Sequence, residues 1–404
     1  MTGHLNKPME GIRLIDLTHM LSGPYAGMIL ADLGCDTVKV EPPVTGEGTR
    51  RLLETDPNNS FKGMGAYFFT LNRNKRSVAI DLKSELGREY FYELVKCADI
   101  VLDNFSAGVT QRLNIDHQRL VQINSRIITC SVSGFGESGP SCHRPAFDQI
   151  VQGLGGGMSI TGSGPGKFVR AGIPIGDLGG GMFAVMGIQA ALWARERNGI
   201  GQHVDISMLD VQISLLNYMA TMYTMSGEIP GPIGNSHYVH TPYNTFATAD
   251  DTIIIAVIGD TFWPALCDLL DIEELRSPEF ANAPARLERQ KYIENLIEEK
   301  LRTKSAEHWL SELEKARVPC ARVNNFAQAL ADPQVQFRNM VVDVEHPLGG
   351  VVQVPGNPIK FSDTDADTFS PPPLLGAHTK EVFTSWAGMS EDKIANGVEA
   401  GAIA

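Results

Sequence analysis

Short apolar runs alternate with helical stretches through the first half of the chain, and this alternation limits the possible folds more than any other feature. Gly11-Ile-Arg-Leu-Ile-Asp-Leu17 reads as a short buried strand. Ser22 to Leu33 reads as a helix with Pro24 near its start, where proline is tolerated, and Gly34 stops it. Asp36-Thr-Val-Lys-Val-Glu41 is then a second strand, which completes one β-α-β unit. Arg76 to Leu82, Asp99 to Asp103 and Ile127 to Val132 continue as strands, and Ser84 to Ala98 is a helix with Ser84 as its cap. Strands that alternate with helices in this way build a parallel sheet. The expected fold class is therefore α/β, with a doubly wound sheet.

His203 to Ser207 looks like a further strand, followed by an apolar helix near Leu209 to Tyr223. Met225 to His240, with Gly227, Pro230, Gly231, Pro232 and Gly234, has the composition of a linker or mobile loop. Thr252-Ile-Ile-Ile-Ala-Val257 opens a second module. Arg286 to Arg317 within it has helical periodicity, and Pro319 closes that stretch. Short strands such as Val351-Val-Gln-Val354 mark the C-terminal part. At 404 residues the chain is long enough for two or three domains with cores that need no metal or disulfide staple.

The formal net charge of -13 argues against nucleic acid or an anionic membrane as a partner held by bulk attraction. The six cysteines are scattered with no C-x-x-C pair, which suits a reducing cytoplasm and argues against zinc. Leu178 to Ala194 is the membrane candidate, but it is short for a span and rich in glycine and alanine, so a buried helix is the better reading.

One carboxylate stands out. Asp177 lies between Gly172-Ile-Pro-Ile-Gly176 and a long segment without charge that begins Leu-Gly-Gly-Gly-Met182. An Asp at a helix start can simply cap the first turn. Gly179, Gly180 and Gly181 are poor helix formers, however, so close backbone approach by a substrate, a partner helix or a strained turn is needed there. Both readings of Asp177 stay open on this stretch alone. Other motifs fail. Thr161-Gly-Ser-Gly-Pro-Gly-Lys167 lacks the first glycine and the final Ser or Thr of a phosphate loop, and Gly179-Gly-Gly-Met-Phe-Ala184 lacks a clean preceding strand for a dinucleotide fingerprint. His237 and His240 have no evident third metal ligand. Asn72-Arg-Asn-Lys-Arg76 with Lys83 and Arg112 is either a set of solvated strand ends or a local anion site on an acidic protein.

The chain as a whole resembles the class III CoA-transferase family (CaiB/BaiF, formyl-CoA transferase-like). The resemblance rests on an ordered series of stretches. They include Gly11 to Thr18, Ser22-Gly-Pro24, Ala31-Asp-Leu-Gly34, Val38-Lys-Val-Glu-Pro42, Leu71 to Ser77, Asp103-Asn-Phe105, Ser133-Gly-Phe-Gly136, Phe147-Asp148, Gln152, Gly199-Ile-Gly-Gln202 and Pro373-Leu-Leu-Gly376. It implies a large Rossmann-like domain built from both chain ends, residues 1–221 and 336–404, with a smaller α+β domain inserted at 222–335. It also implies an interlocked dimer, either a homodimer or a heteromer with a homologous subunit. The small-residue face Gly180, Ala184, Gly187, Ala191 would suit the close helix packing of such a dimer.

The same resemblance implies that Asp177 is a nucleophile that attacks an acyl-CoA thioester, with its charge and the developing oxyanions favoured by the helix start and the neighbouring glycine N–H groups. CoA contacts fall on Leu21, Ser22, Ile80, Asp81, Leu82, Lys83, Asn104, Phe105, Ser106 and Arg112. Phe147, Asp148, Gly234 and Asn235 fall on the substrate side, the last two in a Gly231-Pro-Ile-Gly-Asn235 stretch that does not match the glycine-rich loop of formyl-CoA transferases. The substrates implied are an acyl-CoA, with succinyl-CoA a common donor, and a carboxylic acid. The coenzyme A thioester is then a substrate, with no tightly bound cofactor and no metal. α-Methylacyl-CoA racemases share the superfamily and need a His immediately before the position of Asp148. Phe147 stands there instead, which favours the transferase.

Overall fold

The computed structural model describes residues 6–404, and the chain divides into two compact units. The first comprises the chain through Gly157, Ala171–Gly227 and Pro333–Ala404; the second comprises Met158–Arg170 and Glu228–Asp332. The segment 158–170 thus groups with the second unit, whereas the family resemblance places it in the large domain. Gly162 and Phe168 pair as an isolated bridge, and the Gly234 N–H donates to the Gly162 carbonyl at 2.9 Å, which binds this segment to the later residues.

The first unit is α/β with a six-stranded sheet. Its strands and main helices, in chain order, are β1 (Arg13–Asp16), α1 (Ser22–Asp32), β2 (Asp36–Glu41), α2 (Ala66–Leu71), β3 (Lys75–Ala79), α3 (Glu85–Val95), β4 (Ile100–Asp103), α4 (His117–Ile123) and β5 (Ile128–Ser133). After them come α5 (Asp148–Leu154), α6 (Ile175–Asn198), β6 (His203–Ser207), α7 (Met208–Leu216) and α8 (Tyr218–Ser226). The strand order is β3-β2-β1-β4-β5-β6, and every neighbouring pair is parallel. The chain therefore turns back on itself between β1 and β4, the position at which open parallel sheets carry their binding crevice.

Strand alternation divides the core between the two faces of this sheet. Ile15, Val38, Val78 and Val101 bury on one face with α3, whereas Leu14, Ile100, Leu102, Cys130 and Val132 bury on the other with α1 and α6. Ser84 caps α3, its hydroxyl accepting from the Gly87 N–H at 2.9 Å. The apolar stretch from Leu209 breaks into α7 and α8 at Asn217, whose φ of 48° only a short polar side chain or glycine adopts readily.

The C-terminal part returns to the first unit as the hairpin β10 (Val341–Glu345) and β11 (Val351–Pro355), numbered after the second unit's strands, and two helices, Thr379–Ala387 and Glu391–Glu399. It closes on the sheet. The Ala404 N–H donates to the Ala79 carbonyl at 3.1 Å, and the Asp81 N–H donates to the Ala402 carbonyl at 2.9 Å.

The 24-residue α6 is long and apolar enough by composition to cross a membrane, and here it packs on α1, β5 and β6. Its glycines explain the closeness. A Cβ on Gly180 would stand 2.8 Å from the Ser22 hydroxyl, and one on Gly181 would stand 2.7 Å from the Ser22 carbonyl. These glycines serve helix packing and lie inside the helical ladder. They do not offer N–H groups to a reacting centre, contrary to the sequence expectation. The face Gly180, Ala184, Gly187, Ala191 is likewise turned inward, with Ala184 and Ala191 buried and Gly187 against Val204. The large apolar side chains that α6 leaves exposed are Met182, Met186 and Trp193.

The second unit holds β7 (Tyr243–Ala247), β8 (Thr252–Ala256) and β9 (Cys320–Arg322) in an antiparallel sheet of order β9-β8-β7. Its core joins Phe246, Ile253, Ile255 and Trp263 to Ile293, Ile297, Trp309 and Leu313. The helical stretch expected over Arg286 to Arg317 contains helices Gln290–Leu301 and Ala306–Lys315, separated where Ser305 accepts from the His308 N–H and starts a new helix.

Candidate active site

The cleft of the first unit opens at the C-terminal ends of β1, β2, β3 and β4. It has a volume of ≈ 800 Å³, and its walls include Leu17, Thr18 and His19 after β1, Glu41 at the end of β2 with Pro42, Pro43 and Thr45 to Gly48 after it, Ile80 to Lys83 after β3, and Phe105 and Arg112 after β4. Its position follows from topology, because the chain leaves β1 and β4 in opposite directions and parts the loops between them.

The loop after β1 is fixed from below by buried charge. Asp16 pairs with Lys75 at 2.8 Å, both side chains fully buried, and accepts from the Thr18 N–H at 2.9 Å. Lys39 donates to the Thr18 carbonyl at 2.8 Å. Burial raises the Asp16 carboxyl, but Lys75 and Lys39 outweigh it and hold the group down to about 2. Glu41 is held below its ordinary value in the same way, burial being outweighed by a forked pair with Arg50 at 2.6 and 2.7 Å.

The cations of Asn72 to Arg76 are committed to such pairs. Arg73 binds Asp32 at 2.7 Å, Lys75 binds Asp16, and Arg76 binds Asp36 at 2.6 Å and Glu381 at 2.8 Å. They make no anion site, because Lys75 and Arg76 open β3 at its N-terminal end and carboxylates face them all. Lys83 and Arg112 differ. Both are exposed at the cleft, and neither forms an ion pair among the described residues.

Asp177 occupies the third position of α6, with Pro174 at the cap position. It is not the cap. That task falls to Asp148 at the start of α5, whose carboxylate accepts from the Gly176 N–H at 2.8 Å, the Asp177 N–H at 3.4 Å and the Gln152 amide at 2.7 Å. Asp177 is half-buried, and among the described residues its carboxylate has neither a hydrogen-bond donor nor a cation. Burial first, and the charge of Asp148 second, push it up to about 6. The helix start was expected to favour the ionised form, but desolvation and a neighbouring like charge win. A carboxylate left unpaired and raised in this way is a candidate reactive group.

The model of CoA-transferase family III matches residues 9–379. The chain belongs to CoA-transferase family III. An acetyl-CoA:oxalate CoA-transferase of Acetobacter aceti is 38% identical over 360 residues, 89% of this chain and 90% of that protein. A succinate–glutarate CoA-transferase of Agrobacterium fabrum is 36% identical over 381 residues, 93% of this chain and 95% of that protein. The crystal structure of a CaiB/BaiF family protein from Brucella suis superposes with a TM-score of 0.83 at 35% identity, covering 95% of this chain and all of that one. The protein is thus a class III CoA-transferase, and its α/β fold with a large parallel sheet matches that of a CaiB/BaiF protein.

Within this class III transferase, the residues singled out from sequence separate into groups. Ile80, Asp81, Leu82, Lys83, Phe105 and Arg112 line the cleft together. Asn104 lies behind the wall, where it accepts from the His19 N–H at 2.9 Å and donates to the His19 carbonyl at 2.7 Å. Leu21 takes the cap position of α1, and Ser22 is buried beside Gly180 with a hydroxyl that has no hydrogen-bond partner among the described residues. Ser106 is exposed outside the cleft lining. Phe147 is 68% exposed at the head of α5, immediately before Asp148. Gly234 and Asn235 belong to the second unit, where the Asn235 amide donates to Thr245 at 3.0 Å.

Two residues of the transferase escaped sequence reasoning. Tyr67 has a phenol pushed up by burial first and then by the charges of Asp177, Glu47 and Asp148. It sits in the run Tyr67-Phe68-Phe69, whose two phenylalanines are core, and nothing local distinguishes it. Glu47 lines the cleft and accepts from the Thr49 N–H at 3.0 Å. Its signal was the Gly46-Glu-Gly48 pattern of a tight polar loop.

Proposed function

We propose that the protein transfers CoA from an acyl-CoA, with succinyl-CoA as the leading donor, to a small dicarboxylic acid through covalent intermediates on Asp177. The observation that carries this reading is the unpaired, raised carboxylate of Asp177 at the head of α6. A carboxylate whose acid is weakened to about 6 is a stronger nucleophile than an ordinary one and is still mostly ionised at neutral pH. The names of the two relatives, one for oxalate and one for succinate and glutarate, support a dicarboxylate.

In the proposed sequence an oxygen of Asp177 attacks the thioester carbonyl, the C–S bond breaks and CoA leaves as thiolate, giving a mixed anhydride. The thiolate then attacks the aspartyl carbonyl. The first acid departs as carboxylate and an aspartyl-CoA thioester remains. The acceptor carboxylate attacks that thioester to form a second anhydride and thiolate, and the thiolate attacks the acceptor's acyl carbon, releasing Asp177. No net proton or electron is exchanged, and the energy of the thioester is carried through each step. Lys83 and Arg112 supply cations for CoA phosphates, and the β3–α3 and β4 loops supply the walls around it.

The assembly proposed with this chemistry is the family's interlocked dimer, here of two copies of this chain. Exposed Met182, Met186 and Trp193 on α6 and Ile150 and Leu154 on α5 give the first unit an apolar surface for it. A dimer mass by light scattering is expected, and a monomer would remove this part of the reading. The racemase alternative gains nothing, since the position before Asp148 holds Phe147 and no His accompanies it.

The test is to incubate the protein with succinyl-CoA, quench with hydroxylamine or borohydride, and locate the modification by mass spectrometry. Modification at Asp177 is expected, with none in Asp177→Ala. Transfer activity that survives in Asp177→Ala without a covalent species would overturn the mechanism.

A further inference from the structure

Behind the cleft lies a second group of titratable side chains that the proposed chemistry does not use. β4 ends at Asp103, which is buried. One of its oxygens accepts from the Phe105 N–H at 3.1 Å, and the other accepts from the Ser131 hydroxyl on β5 at 2.8 Å. The next residue, Asn104, clasps the backbone of His19 from both sides, and the His19 and Phe105 rings meet 5.6 Å apart on the cleft wall. The end of β4 therefore sets two cleft walls at once, and Asp103 is its buried anchor.

A polar chain runs from this anchor, through Ser131 and Glu137, toward the edge strand β6. Glu137, in the loop after β5, stands 3.1 Å from Nε2 of His203 on β6. Nδ1 of His203 meets the Thr129 hydroxyl at 2.8 Å, which in turn meets Nδ1 of His117 on α4 at 2.9 Å. Asp103, His117, Thr129, Ser131, Glu137 and His203 all face one cavity of ≈ 250 Å³. Asp116, the cap of α4, lines it too, and Asp205 on β6 adds a further charge near His203. Burial, acting against the Ser131 and Phe105 hydrogen bonds, raises the Asp103 carboxyl to about 6. Burial alone would lower His203, but Glu137, Asp103 and Asp205 outweigh it and push that imidazole up.

We propose that Asp103 is a positioning residue for coenzyme A: its ionised carboxylate holds the Phe105 amide and hence the cleft wall, and its protonation from the Glu137–His203 side loosens the grip on the ligand. The physical reason is that a charged acceptor forms a stronger hydrogen bond than a neutral one. This rests on the reading of the cleft as the CoA site.

The measurement is the dissociation constant of free coenzyme A, by calorimetry, for the wild-type protein and Asp103→Asn from about pH 8 to about pH 5. The ratio of the two constants is the readout, because the titration of the ligand's own phosphate and of Asp177 cancels in it. Asn mimics the protonated acid, so the variant is expected to bind about fivefold more weakly at the alkaline end, with the ratio falling to one at the acid end. A merely structural loss would give the same ratio at every pH and would overturn the proposal. A ratio below one, as simple relief of repulsion with the phosphates would give, overturns it as well. Absence of CoA binding by the wild-type protein would instead remove the reading of the cleft. Should Asp103→Asn not fold, Ser131→Ala decides the matter. Loss of that hydrogen bond raises the Asp103 carboxyl further, so its ratio is expected to peak slightly above pH 6 and return to one at both ends. A flat ratio there also overturns the proposal.

Discussion

Two carboxylates of the first unit are treated in opposite ways. Asp16 is fully buried yet held down to about 2, because Lys75 and Lys39 and the Thr18 hydrogen bonds compensate its loss of water. Asp177 is only half-buried yet raised to about 6, because burial raises it first, Asp148 beside it adds to the effect, and no cation among the described residues offsets them. Burial acts in the same direction on both, and the partners decide the sign. The stability consequences are opposite. Asp16 contributes stability above its unfolded value, and this is lost as pH falls toward about 2. Asp177 favours the folded state in acid, and that contribution is lost as pH rises through about 6. One carboxylate supports the loop after β1, while the other, the proposed nucleophile, has no partner among the described residues.

The sharpest way to break this contrast is to remove Asp177. Asp177→Asn is expected to lower CoA transfer by about a thousandfold or more. Above pH 7 it is also expected to raise stability by about 1–2 kcal/mol, a figure reduced for the residue's partial exposure. Coupled transfer assays and urea unfolding check the two halves, and a variant that loses both activity and stability would put Asp177 among the structural carboxylates. The converse substitution, Lys75→Met, leaves Asp16 buried with only Lys39 nearby. It should cost about 3 kcal/mol in urea unfolding, and the loss should shrink as pH falls through the acid range where Asp16 takes up a proton. An unchanged midpoint would show that the buried pair is not what holds the β1 loop.

A milder probe tests the cations that remain uncommitted. Lys83→Ala and Arg112→Ala should each raise KM for the acyl-CoA by about tenfold with kcat little changed, because a phosphate contact is made equally in ground and transition states. By contrast, Arg76→Ala should leave KM alone, since Arg76 is engaged by Asp36 and Glu381.

That difference among cations marks the limit of what the sequence made legible. The alternation of strands and helices was readable because each element carries its own periodicity and caps, as Ser84 does for α3. The residues after β3 and β4 that line the cleft came from the family resemblance, and strand ends alone left Lys83 and Arg112 open between a solvated end and an anion site. What could not be read was any partner distant in sequence: Lys75 meets Asp16 from 59 positions away and Arg73 meets Asp32 from 41. The same holds for α6. Its glycines admit a substrate, a partner helix or a strained turn in one dimension, and only the 2.7 Å approach to the Ser22 carbonyl shows that they pack against α1. Asp177 stands out in the sequence as an isolated charge, but Asp148, which caps its helix through the Gly176 N–H, lies 28 residues before that glycine and was assigned only to the substrate side.

Asp148 supplies the smallest and most discriminating prediction. It does two things at once, capping α6 through the Gly176 N–H and adding negative charge beside Asp177. Asp148→Asn separates them, since the amide oxygen can still accept from Gly176 while the charge is gone. Burial is the larger cause of the shift at Asp177 and Asp148 the smaller, so most of the elevation should remain. For the wild-type protein, kcat/KM should fall about tenfold per unit of pH below about 6, as the nucleophile takes up a proton. In Asp148→Asn that acid limb should move to lower pH by less than about one unit, with stability nearly unchanged. A limb that does not move would assign the whole elevation to desolvation, and one that returns to the ordinary carboxylate range would assign it to the paired charges.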